Sequence, residues 1–198
     1  MGEETILTKA TTKSKSLRTT VPMGIVKQFN LSEGDKLNWE IKAENGNLII
    51  VVKPIKRWKK TLMAYEEDVK NRSFLDWIKA HTSGFKPIHR YEGVFELRDE
   101  EIVFEGKDVK EGEEIYLKIP IKNITDVYLG WDDVFTGFPL SRAGDRAYPW
   151  NKPLRLRYQS SEGERTLYFF VNFHHKYGIR TSNNKEVYER LKKFIKIA

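Results

Sequence analysis

Between a basic, β-rich stretch that ends at Pro22 and the turn at Gly34-Asp35 there is room for one short helix. That bracket constrains the first 57 residues more than any other feature. Proline suits the first turn of a helix, where its missing N–H is no loss. Ile25, Val26 and Phe29 then make a short apolar stripe. Ile6 to Thr11 and Leu17 to Val21 read as strands ahead of the helix. Ser32-Glu33-Gly34-Asp35 supplies turn chemistry, with a left-handed glycine capped by the aspartate. Lys36 to Ala43 alternates, placing Leu37, Trp39 and Ile41 on one face. Asn45-Gly46 marks a two-residue hairpin turn, and Leu48 to Val52 returns, ended by Pro54. A unit this short cannot bury a core alone, which predicts a dimer.

The net charge of +7 is unevenly placed. Residues 1–57 hold ten Lys/Arg against six Asp/Glu, residues 58–90 seven against four, and residues 91–198 eighteen of each. The excess lies in the N-terminal half, where a footprint for a polyanion belongs. Lys9, Lys13, Lys15 and Arg18 cluster around the first strand–turn–strand, Lys27 stands on the helix, and Thr11, Thr12, Ser14 and Ser16 can donate to phosphates. The absence of cysteine excludes disulfides and cysteine–metal sites and agrees with an intracellular protein. No apolar run is long enough to span a bilayer, and the first residues lack a signal-peptide pattern.

Further along, Leu62, Tyr65 and Val69, then Phe74, Leu75, Trp77 and Ile78, recur at helical spacing, so residues 58–87 read as a helical linker. Residues 88–198 read as a second domain. Its expected strands are Tyr91–Leu97, Glu101–Phe104, Ile115–Ile119, Ile124–Trp131, Leu154–Gln159 and Thr166–Phe173. An amphipathic helix, Lys185–Ile197, closes it, capped by Asn183 or Asn184. The loop from Asp132 to Pro153 is long for a compact domain and a candidate for function. Antiparallel strands plugged by one helix suggest a small barrel or sandwich.

No Ser/His/Asp or Cys/His arrangement supports catalysis, and no cofactor is expected. His174-His175 invites a metal, but adjacent strand residues point to opposite faces, and His81 and His89 are distant in sequence.

Residues 1–57 resemble the SpoVT/AbrB family, which includes AbrB-type regulators and MazE-type antitoxins. The resemblance is carried by Leu17-Arg18-Thr19-Thr20-Val21-Pro22, Ile25-Val26-Lys27-Gln28-Phe29, Leu31-Ser32-Glu33-Gly34-Asp35-Lys36-Leu37 and Leu48-Ile49-Ile50-Val51-Val52. It implies a swapped-hairpin β-barrel made by two chains, with basic loops entering the DNA major groove. It also makes Arg18 the leading candidate for a base-edge or bidentate phosphate contact. Val26 stands where related regulators often carry a second cation, and Ser16-Leu17 where a loop glycine is usual. Residues 88–198 resemble a PH-like domain, including GRAM-type variants, in element order alone. Such domains bind phosphoinositides, peptides or proteins.

The expectation is therefore a mainly β protein: an AbrB-type dimeric barrel over residues 1–57, a helical linker over 58–87, and a PH-like barrel over 88–198. Its expected function is that of a non-enzymatic, cytoplasmic, nucleoid-associated homodimer. DNA is expected at Lys9, Lys13, Lys15, Arg18 and Lys27, and a protein partner or self-association at the second domain. An antitoxin-like interaction module and a membrane-surface adaptor are the alternatives.

Overall fold

The computed structural model describes residues 4–71, 86–135, 152–176 and 179–195. Several expected features lie outside the described residues: Phe74, Leu75, Trp77 and Ile78 of the linker, His81, residues 136–151 of the long loop, and Ile197. The contacts divide the chain into two units, Met1–Lys56 and Arg57–Ala198.

The first unit begins with two very short strands, β1 (Thr8–Lys9) and β2 (Leu17–Arg18), in antiparallel register Thr8↔Arg18 and Lys9↔Leu17. The longer strands expected at Ile6–Thr11 and Leu17–Val21 are not formed, because a two-stranded ribbon with no further partner is marginal in water. Helix α1 (Met23–Phe29) starts directly after Pro22, as the fixed proline φ favours. It stops at Asn30, whose left-handed φ of 49° an asparagine tolerates. Strand β3 (Lys36–Glu44) joins β4 (Asn47–Tyr65) through Asn45 and Gly46, with φ of 51° and 80°. Two successive positive φ values are what a type I′ hairpin turn demands.

The return strand does not end at Pro54. It continues to Tyr65, with Pro54 opposite Leu37 in the ladder. In this stretch β4 has one hydrogen-bonded neighbour, β3, and proline is tolerated where no ladder donor is needed.

The second unit takes over the end of β4 and adds α2 (Glu66–Lys70), β5 (Tyr91–Leu97), β6 (Glu101–Asp108), β7 (Glu114–Pro120), a single 3₁₀ turn at Ile121–Asn123, and β8 (Ile124–Leu129). It is completed by β9 (Leu154–Ser160), β10 (Gly163–Phe170), a small ribbon of β11 (His174–Lys176) and β12 (Ile179–Thr181), and α3 (Asn184–Phe194). The main sheet runs β7-β6-β5-β4-β10-β9-β8, so β4 and β10 join two antiparallel meanders.

Two expectations change here. The sheet is open, so the described residues form no closed barrel: β7 and β8 are its two edges. Pro120 ends one edge, and a register shift between Ile124 and Asp126 bends the other, both devices that stop an edge from pairing. Residues Trp58 to Tyr65 are strand rather than helix, since Leu62–Tyr65 pair with Phe170–Leu167 of β10. Leu62, Met63 and Ala64 are all buried, because this central strand is covered on both faces. A run buried on both sides loses the period-2 signature.

One face of the sheet carries the main core: Phe95, Phe104, Ile119, Leu154, Leu156, Leu167 and Phe169, closed by Val187 and Leu191 of α3. The Phe169 ring meets those of Phe95 and Phe104 edge-on, at centroid distances of 5.3 and 6.0 Å. Buried Asn184 fastens α3 to the sheet: its Oδ1 accepts the Val171 N–H at 2.7 Å, and its Nδ2 donates to Lys152 O at 2.7 Å and Phe169 O at 2.9 Å. The opposite face buries Leu62, Ala64, Val69, Phe135, Tyr168, Phe170 and Phe173. Phe135 thus folds the start of the long loop onto the sheet.

Candidate nucleic-acid interface

The β1–β2 hairpin is held by few bonds and exposes nearly every side chain. Ala10 N–H donates to Ser16 O at 2.9 Å, and Ser14 N–H to Thr11 O at 3.2 Å. Ser14 Oγ accepts the Ser16 N–H at 2.9 Å. The loop is therefore a folded turn rather than a loose strand, and Lys13 and Lys15 stand exposed on it.

Arg18 and Lys9 are exposed on the flanking strands. The register sends them to opposite faces of the ribbon, since Arg18 shares a face with Thr8 and Lys9 with Leu17. Arg18 Nε–H donates to Thr8 Oγ1 at 3.4 Å, a long and weak bond that leaves the terminal nitrogens available. Lys27 is exposed in the last turn of α1. The structure thus brings Lys13, Lys15 and Arg18 onto one hairpin and sets Lys9 on its reverse face. Lys27 stands on a separate element.

Below the hairpin lies an open groove of about 680 Å³, lined among others by Leu7, Leu17, Ile25, Phe29, Trp39 and Val52. The apolar side of the β3–β4 hairpin continues from it through the same-face pairs Trp39↔Val52, Ile41↔Ile50 and Ala43↔Leu48. Trp39 is 58% exposed, Ile41 77% and Leu48 79%. Among the described residues, every buried hydrophobic side chain belongs to the second unit.

The turn that aims this hairpin rests on an ion pair the sequence reading missed. Lys56 Nζ lies 2.6 Å from Asp35 Oδ2 and donates to Asn30 O at 2.7 Å, with both charged side chains under 10% exposed. Asp35 Oδ2 also accepts the Ser32 N–H at 2.8 Å. Lys56 therefore ties the end of α1 and the Gly34-Asp35 turn to β4. The one signal for it was a lysine inside a strand of Val, Ile and Pro.

In the second unit, the Arg155 guanidinium is taken up by contacts within the fold. It bonds Asp126 at 2.9 Å and Asp132 at 2.8 Å and lies over the Tyr128 ring at 4.8 Å. Asp132 also accepts from Tyr168 Oη at 2.9 Å and from the Val134 and Phe135 N–H groups. The Phe135 N–H, Arg155 and Tyr168 hold its carboxyl below the usual range against its own burial. Burial, followed by that carboxylate, pushes the Tyr168 phenol well above its ordinary value. His174 Nε2 lies 3.0 Å from Asn172 Oδ1. Among the described residues no group of three or more His, Cys, Asp or Glu could hold a metal ion, and no helix is long and apolar enough to cross a membrane.

A strand ribbon, a seven-residue helix, a Gly-Asp turn and a two-stranded hairpin, in this order, make the first unit a SpoVT/AbrB-like domain. Residues 11–60, about a quarter of the chain, match the family described as antidote-toxin recognition MazE, bacterial antitoxin. A comparison with curated proteins finds no match.

Proposed function

We propose that this protein is a dimeric, DNA-binding regulator or chromosome-associated factor, cytoplasmic and nucleoid-associated, with a PH-like second domain used for protein contacts. The observation that carries the DNA reading is the exposed turn bearing Lys13, Lys15 and Arg18 within an AbrB/MazE-type unit. Two copies would present a paired set of cations, and phosphate neutralisation with counterion release would supply much of the affinity. The dimer reading rests on the open groove and hairpin face. Covering each such Ile, Leu or Trp is worth roughly 1.5–3 kcal/mol, which a second hairpin can supply.

The PH-like reading is supported by the strand order: two antiparallel meanders joined through their first and last strands, with a terminal helix on the core. The proposal assigns no catalytic step. A second reading, an antitoxin-like module, is favoured by the description of the matched family. The extensive core of residues 57–198 weighs against it, because a toxin-binding tail that orders on contact would hold few buried side chains of its own.

The test is duplex binding at low salt by wild-type protein and by Arg18→Ala with Lys15→Ala. Loss of affinity of about 100-fold or more, with the dimer intact, supports the assignment. Unchanged affinity rejects these residues as the DNA contact.

A further inference from the structure

Residues 91–198 are neutral in sum, but charge in the second unit is strongly polarised. Residues 92–114, covering β5 to the start of β7, hold ten Asp/Glu and three Lys/Arg. In contrast, no Asp or Glu occurs between Glu44 and Glu66, nor between Glu164 and Glu186. The fold brings these two acid-free stretches together: Phe173 N–H donates to Lys60 O at 2.9 Å and Asn172 N–H to Thr61 Oγ1 at 3.3 Å. At that junction β4 carries exposed Lys59 and Lys60. The adjoining β11–β12 ribbon carries exposed His174 and His175, with Arg180 directly opposite His175.

The backbone here is unusual in one respect. The described non-glycine residues with positive φ are Asn30, Asn45, Asn172 and Lys60, the last at 56°. Asparagine tolerates this region; a lysine there costs on the order of 1 kcal/mol. Thr61 Oγ1 donates to Trp58 O at 3.3 Å across the resulting kink. The Lys60 side chain is exposed, so side-chain packing does not account for this conformation.

From this juxtaposition we infer that Lys59, Lys60 and Arg180 form a second nucleic-acid contact, a sequence-independent clamp on the phosphate backbone. His174 and His175 supply further ring nitrogens at its edge. The inference rests on the DNA reading above and extends it to the second unit. A polyanion is the fitting partner because the patch offers cations and polar donors with little apolar surface, and phosphate contacts need no base-reading geometry. Each lysine that neutralises a phosphate adds about 0.9 to the slope of log affinity against log salt.

The experiment uses the full chain, a mixed-sequence DNA duplex and a salt titration, with four proteins compared: wild type, Arg18→Ala with Lys15→Ala, Lys59→Gln with Lys60→Gln, and Lys59→Arg with Lys60→Arg. The expected result is a slope lowered by about 2 and affinity lowered about 10-fold in the glutamine variant, uniformly across duplex sequences, with wild-type behaviour in the arginine variant. Equal loss in the glutamine and arginine variants would overturn the clamp, because charge would then not be the cause. If wild type binds and the Arg18 variant fails while the glutamine variant matches wild type, the clamp is wrong and the first unit's role stands. If wild type does not bind the duplex at low salt, the DNA reading fails and the clamp with it. Vesicles of phosphatidylcholine with phosphatidylserine provide the last arm: weaker vesicle binding by the glutamine variant with unchanged duplex affinity would overturn the clamp in favour of lipid.

Discussion

The two units solve the problem of apolar surface in opposite ways. The second closes its core within one chain: Phe95, Phe104 and Phe169 are inaccessible, and α3 is stapled over them by Asn184. The first leaves Trp39, Ile41, Leu48 and Ile50 open and uses a well-buried ion pair, Lys56–Asp35, to fix a turn. Apolar surface left open on this scale marks an interaction face, which the proposed dimer would cover. On the proposed dimer, stability and assembly are divided along the chain: one unit holds itself together, and the other presents the face that a second copy would cover.

The contrast can be broken most forcefully at Phe169. Phe169→Ala removes the ring at the centre of the aromatic cluster and should cost about 3–5 kcal/mol in the second unit. Chemical denaturation followed by tryptophan fluorescence would show it, and a loss under 1 kcal/mol would contradict the packing described. Next comes Lys56→Met, which strands Asp35 in a site where its side chain is only 6% exposed. Leaving one buried charge alone costs about 3 kcal/mol. The expected result is increased proteolysis near Asn30–Asp35, with the second unit's denaturation midpoint unchanged.

The smallest expected effect lies at Glu92, whose carboxyl is held down at about 2, chiefly by the hydrogen bond to His89 at 2.9 Å and then by Lys86. Because the folded value lies below the unfolded one of about 4.3, this contribution is present above about pH 5 and fades as pH falls toward 2. Its exposure of 40% keeps it within about 1 kcal/mol. Glu92→Gln should flatten stability against pH over that window. An unaltered profile would show that the pair contributes nothing.

Local chemistry made much of this legible in the sequence. Pro22 marked the start of α1, Asn45-Gly46 set the hairpin turn, period-2 alternation marked β3, and the expected Tyr91–Leu97 is found as β5. What escaped depends on tertiary neighbours. Trp58–Tyr65 reads as helix because Leu62, Tyr65 and Val69 are three and four residues apart, yet β5 and β10 flank it and both its faces are covered. Pro54 looked terminal because a strand's free edge cannot be seen in one dimension. Lys56 finds Asp35 across 21 positions, and Lys60 meets Phe173 across more than 100, separations that no motif spans. The cations of the first hairpin were recognisable by type. Their division between two faces of the ribbon needed the register.

Sedimentation equilibrium of the full chain, alongside Trp39→Asp with Ile50→Asp, tests the central claim most directly. The account predicts twice the 23.3 kDa chain mass for wild type and a monomer for the variant, with the second unit's denaturation midpoint unaltered. A wild-type monomer at concentrations where it binds DNA, or a variant that remains dimeric, would contradict it.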